Sequence, residues 1–147
     1  MIDAATETRS VVVERDIPHP PEKLWRALTQ PHLMEAWLMK NDFEPVVGRR
    51  FQFRAKPVLG WSGVVDCEVL ALEAPRRMAW RWKSDVIDTT VTFTLERAPE
   101  GTRLRLVHDG FEGLRGLFVS FMMRGWKRIL GKHLRLVLEG GAPVKDC

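Results

Sequence analysis

Tyrosine is absent from this 147-residue chain, although six tryptophans and seven phenylalanines are present. Large rings without hydroxyls suit a greasy interior that asks for few hydrogen-bond partners. Only two cysteines occur, Cys67 and Cys147, too few for a disulfide framework, which excludes the disulfide-stapled class of secreted domain. No apolar run approaches the roughly 20 residues of a membrane-spanning helix. Residues 1–9 are polar and lack the apolar centre of a signal peptide. These absences lead us to expect a reduced, cytoplasmic chain.

Several chemistries are missing as well. Gly110, Gly113 and Gly116 keep neither a dinucleotide nor a phosphate-loop spacing. Ser62, Ser120 and Cys67 have no evident base, and no serine sits on a strand–turn–helix elbow. His32 and Glu35 stand at i, i+3 with no third ligand in range, so neither a metal nor another cofactor is expected. The net charge of +4 is mildly basic and does not by itself call for a nucleic-acid partner.

What is present reads as one domain over residues 1–147, long enough for a substantial core. Residues 113–140 contain no proline and are rich in good helix formers. At helical pitch Leu114, Phe118, Met122, Gly125, Trp126, Ile129, Leu130, His133, Leu136 and Val137 share one arc. Arg124, Lys127, Arg128, Lys132 and Arg135 fall on the other side, where a solvated face is the expectation. Gly125, in mid-helix, predicts close approach of another backbone or a kink. Leu117 and Phe121 point away from the arc, so a loop, a partner chain or a ligand is expected to cover them. The loop segment 56–61, ending on Trp61, is the candidate lid, and a two-fold partner is the alternative.

Earlier in the chain, Val11, Val12 and Val13 mark a strand ending before Pro18. Leu24, Trp25 and Leu28 predict a short helix, and Pro31 opens another through Trp37. Strands then follow around Phe51 and Phe53, over 63–73, around Met78, Trp80 and Trp82, around Val91, Phe93 and Leu95, and around Leu104, Leu106 and His108. Tight turns at 74–76 and 98–101 join them as an antiparallel meander with one apolar face. A strand, two short helices, about six more strands and a long helix make an α+β helix-grip arrangement, a curved sheet wrapped around the C-terminal helix.

The residues 37–51 (Trp37-Leu38-Met39-Lys40-Asn41-Asp42-Phe43 through Gly48-Arg49-Arg50-Phe51) resemble the segment after the second helix in START-like, SRPBCC proteins. Glu68-Val69-Leu70 through Pro75-Arg76-Arg77-Met78 to Trp82, with 102–110 and Gly125-Trp126, are similar to the branch named for homologues of the activator of the heat-shock-protein-90 ATPase. The resemblance implies a START or Bet v-like fold over nearly the whole chain. It implies a range of activities: lipid and polyketide binding, aromatase or cyclase chemistry, small-molecule resistance and chaperone association.

The candidate site is a cavity between the sheet and the first half of the long helix. Its lining would come from Trp37, Phe51, Phe53, Cys67, Met78, Trp80, Trp82, Phe93, Leu106, Phe118 and Met122, with Trp61 and Phe121 at the mouth and His108 as a polar anchor. The competing reading is that these rings interdigitate as packed core. His108 is either a ligand anchor or general base, or else a core histidine bonded to backbone or a residue at the sheet end in water. Binding of a small hydrophobic or amphipathic molecule is the first functional expectation. A cyclase or hydrolase using the same cavity, and a chaperone-associated interaction domain, are the alternatives, in a monomer or a homodimer.

Overall fold

Valines resist helical χ1 crowding and pack well on a pleated surface. Val11, Val12 and Val13 accordingly lie in β1 (Thr8–Ile17) of the computed structural model, which describes residues 8–59, 61–85, 87–112 and 118–140. Helices α1 (Pro21–Thr29) and α2 (Pro31–Trp37) each begin on proline, which gives up no hydrogen bond there. The buried Trp37 indole donates to the Ala27 carbonyl at 2.7 Å and locks the two helices together.

The remaining strands are β2 (Lys40–Asn41), β3 (Arg50–Arg54), β4 (Val64–Glu73), β5 (Arg77–Lys83), β6 (Asp88–Ala98) and β7 (Gly101–Glu112). They form one antiparallel sheet in the order β1-β7-β6-β5-β4-β3-β2. The meander therefore runs from β2 to β7, and the first strand joins its far edge. At the β6–β7 turn a Cβ on Gly101, whose φ is +152°, would collide with the Ile17 carbonyl. Glycine there lets the turn press against the end of β1.

Alternation places the predicted apolar face inward. Phe51, Phe53, Met78, Trp80, Trp82, Val91, Phe93, Leu104 and Leu106 are all buried. Trp80 sits among Phe43, Phe51, Phe53 and Phe93, with ring centroids 6.1, 5.7, 5.4 and 5.0 Å away. Each such pair contributes about 0.5–1.5 kcal/mol beyond area burial. Trp80 Nε1 is the one buried side-chain polar atom without a partner among the described residues.

The C-terminal helix runs as α3 (Phe118–Arg128), a π turn over Ile129–His133, and α4 (Leu134–Leu138). Its buried stripe is Trp126, Leu130, His133, Leu134 and Leu138. The expected arc therefore fails beyond His133, where Leu136 is 39% exposed instead of buried. On a regular helix each four-residue step overshoots one turn by about 40°, so Trp126, Leu130, Leu134 and Leu138 would drift apart. The wider π turn absorbs the excess and keeps all four buried, with α4 packed against α1 and α2. The close backbone approach expected at Gly125 is also corrected: the residue is exposed, and a Cβ there would meet nothing within 4 Å. Leu114 and Leu117, like the side chain of Phe118, lie outside the described residues.

Candidate functional site

At the junction of the sheet with the start of α3, a cavity of about 350 Å³ opens between three segments. Val58, Leu59 and Trp61 come from the β3–β4 loop; Ser84, Asp85 and Ile87 come from the β5–β6 turn; Phe121 and Met122 come from α3. Met39, Val65 and Trp82 complete the wall.

The loop holds its shape through local bonds. Ala55 N–H donates to the Gly63 carbonyl at 2.8 Å, and Val58 and Trp61 exchange backbone bonds of 3.0 and 2.9 Å. Gly63 has φ +87°, and a Cβ there would collide with the Ala55 carbonyl, so the loop closes only on glycine. Trp61 Nε1 donates to the Val64 carbonyl at 3.3 Å, which lays the indole against the cavity wall. Asp85 ties loop to turn: its carboxylate accepts from Ser62 N–H at 2.7 Å and from Ser62 Oγ at 3.0 Å.

Of the residues expected to line a site, Trp61, Trp82, Phe121 and Met122 border this cavity. Phe121 stands on its rim and stays 66% exposed, so the Trp61 loop does not cover it. Trp37, Phe51, Phe53, Cys67, Met78, Trp80, Phe93, Leu106 and His108 are buried away from it. In that region the rings fill the space with one another. Met39, Val58, Leu59, Val65, Ser84, Asp85 and Ile87 also line the cavity and were not anticipated. Val58 and Leu59 carried a usable signal: two apolar residues side by side in a loop flanked by Pro57 and Gly60.

His108 is fully buried and both ring nitrogens are occupied. Trp126 Nε1 donates to His108 Nδ1 at 3.0 Å, and His108 Nε2 faces Thr89 Oγ1 at 2.7 Å. An indole N–H only donates, so Nδ1 carries no proton and the proton rests on Nε2. Nε2–H then donates to Thr89 Oγ1, and the Thr89 hydroxyl donates to the Trp82 carbonyl at 3.0 Å. Burial, opposed only by Asp109, pushes the His108 pKa down to about 3 and keeps the ring neutral. His108 is thus a core histidine, held mainly by side chains and not directly by backbone. His133, on the buried stripe, is held below its ordinary pKa first by burial and then by Arg128 and Lys132.

Burial, followed by Asp66 and Asp42, pushes the Cys67 thiol far up, which removes its thiolate. On the outer face of the sheet a second groove runs past Asp42, Arg50, Gln52, Asp66, Glu68 and Arg81. Its charges are largely engaged with neighbours: Arg50 with Glu68 at 3.9 Å, Arg81 with Asp88 at 2.6 Å, and Asp66 with Gln52 at 2.7 Å. Among the described residues no group of three His, Cys, Asp or Glu could hold a metal ion. None of the described helices is long and apolar enough to cross a membrane.

Comparison with known proteins places this architecture. The model of the family described as "Activator of Hsp90 ATPase homolog 1-like protein" matches residues 18–139. The crystal structure of protein MLL2253 from Mesorhizobium loti is 44% identical, covers 95% of this chain and 100% of its own, and superposes with a TM-score of 0.83. DynU16, a putative protein in the dynemicin biosynthetic locus, is 27% identical over 91% of this chain and 48% of its own, at a TM-score of 0.77. The Aha1 dimer from Colwellia psychrerythraea, 23% identical over 90% of this chain and 98% of its own, shares the fold at a TM-score of 0.77. Among curated proteins no match is found. With a family match spanning most of the chain and a 44% identical structure that it covers in full, this protein belongs to the Activator of Hsp90 ATPase homolog 1-like family, within the START-like superfamily.

Proposed function

We propose that this chain binds a small apolar or amphipathic molecule in the cavity between Trp61 and Met122. The observation that carries the reading is the cavity itself: about 350 Å³, walled by apolar side chains and interrupted by Ser84 and Asp85. That size and composition fall in the range of small-molecule sites, which are mostly apolar with few polar groups. The body of the ligand would lie against Trp61, Trp82 and Met122. A donor at its polar end would meet the Asp85 carboxylate, whose two bonds from Ser62 leave lone pairs free. A relative from a locus for dynemicin biosynthesis suits a chain that handles small molecules.

Native mass spectrometry of protein purified without denaturation, followed by titration with fluorescent fatty-acid and polyaromatic probes, tests the reading. A co-purified small molecule or one saturable site per chain is the expected outcome. No bound species and no binding by any probe would overturn it.

An enzymatic reading through His108 finds little support, because that ring has no free nitrogen and does not reach the cavity. The description of the family supplies a second reading, association with a heat-shock-protein-90 chaperone. A pull-down at physiological salt with that chaperone should retain the domain if this reading holds, and washing through would set it aside.

A further inference from the structure

The outward line of α3 joins two features that the cavity does not explain. One is a ridge of cations that form no ion pair among the described residues. Arg124, Arg128, Lys132 and Arg135 are exposed along the helix, with Lys127 beside them. All seven ion pairs among the described residues take their cation from Arg49, Arg50, Arg77, Arg81, Arg97, Arg103 or Arg105, and none from this helix. The Arg15 side chain adds another cation, 3.4 Å from where a Cβ on Gly131 would stand.

The other feature is apolar. Leu59 is fully exposed, Val58 is 61% exposed and Phe121 66%, and all three stand around the cavity mouth. Phe121 belongs to both features. At about 100° per residue, Phe121, Arg124, Gly125, Arg128 and Lys132 lie within about 60° of one line, a strip about 16 Å long. Gly125, exposed in mid-strip, adds no side chain to it. One face thus presents an apolar tip continuous with a basic ridge.

We propose that this face docks on an anionic lipid bilayer, with Leu59, Val58 and Phe121 entering the interfacial layer and the α3 cations meeting anionic headgroups. A basic ridge alone fits any polyanion. The apolar tip decides between them, since a nucleic acid in water gives exposed Leu and Val side chains nothing to enter. A bilayer interface takes an apolar patch and its flanking cations together. Docked in this way, the cavity mouth faces the membrane. The argument stands on the exposed face and does not require that the cavity be filled.

The test is co-sedimentation with vesicles of phosphatidylcholine alone and of phosphatidylcholine mixed with phosphatidylglycerol, at low and at physiological salt. Binding to the anionic vesicles only, weakening as salt rises, is expected. Each cation at an anionic surface contributes about fivefold, so Arg124→Gln with Arg128→Gln should lower affinity about 25-fold. Leu59→Asp should also reduce it. Arg26→Gln with Arg76→Gln removes the same charge from other surfaces and should leave binding unchanged. The ridge variant should still take up fluorescent probes as the parent does, because neither arginine lines the cavity. Equal binding to both vesicle types, an unaffected ridge variant, or tighter binding to a single-stranded oligonucleotide than to vesicles would overturn the proposal. So would a stable dimer in sedimentation that buries the ridge and leaves vesicles unbound. Failure of probe uptake with vesicle binding intact would count against the cavity reading alone.

Discussion

The indole N–H of Trp126, on the C-terminal helix, donates to Nδ1 of His108, on β7, at 3.0 Å with both side chains buried. This bond pins helix to sheet and fixes the tautomer of the histidine. It also withdraws from chemistry the residue whose type and position had suggested an acid–base role.

Trp126→Phe would keep most of the ring but leave Nδ1 buried without a donor. The expected loss of stability is about 1–3 kcal/mol for the unpaired acceptor, plus a smaller packing loss. Urea denaturation of both proteins at neutral pH measures it. An unchanged midpoint would mean that water or another donor replaces the indole.

The neutral state of His108 makes a pH prediction with a definite sign. A histidine whose folded pKa is depressed favours the fold in its uncharged form. Its contribution is complete above pH 6.5, the ordinary value, and is lost as pH falls toward about 3. Between those limits stability should fall by about 1.4 kcal/mol per pH unit on this account. Urea midpoints between neutral pH and about pH 4.5 read the slope, and a His108→Leu variant should show a shallower one. Nitrogen chemical shifts should report an Nε2–H imidazole that does not titrate above pH 5. Titration near 6.5 would contradict the burial argument.

Much of the fold was legible because strands and helix termini carry local signals. Alternation of Met78, Trp80 and Trp82 with Arg77, Ala79, Arg81 and Lys83 marked the inward face of β5, and prolines marked the starts of both short helices. The register of the long helix past His133 was not legible. A π turn is one residue's worth of unwinding, and it depends on the fit of Leu134 and Leu138 to elements far away in sequence. The site was only partly legible for the same reason. Inward rings such as Phe53, Trp80 and Phe93 could be read as cavity lining or as packed core, and which of the two they form is decided by tertiary distances. Trp61 and Phe121 stood out because each interrupts a pattern, one in a loop and one on a basic helix face, whereas Trp82 and Met122 followed from the strand alternation and the helix arc. Asp85 was hidden in a short turn, since its partner Ser62 lies 23 residues away.

Asp85→Ala should release the β3–β4 loop from the β5–β6 turn. Both groups are exposed, so global stability should change by less than about 1 kcal/mol. Entry and exit of a bound fluorophore should both become faster. Stopped-flow mixing measures these rates, and identical rates in parent and variant would show that the Ser62–Asp85 contact does not restrain the loop.

Met122→Trp should fill the cavity from the helix side. Met122 is only partly buried and borders the cavity, so the larger ring has that space to enter and stability should hold. Probe binding should fall by more than about tenfold, because the added indole occupies the ligand's volume. Calorimetric titration beside a thermal melt separates loss of binding from loss of fold. Retained affinity would place any ligand elsewhere.

The central claim is that a ligand occupies the cavity under Trp61 and not the ring-packed interior, and the methionines report on both. Met39 and Met122 line the cavity, whereas Met34 and Met78 are fully buried in the core. With methyl-¹³C methionine, titration with an apolar probe should shift the Met39 and Met122 signals in a saturable way and leave Met34 and Met78 in place. Shifts at Met34 and Met78 without change at Met39 and Met122, or no shift at any methyl, would contradict the account.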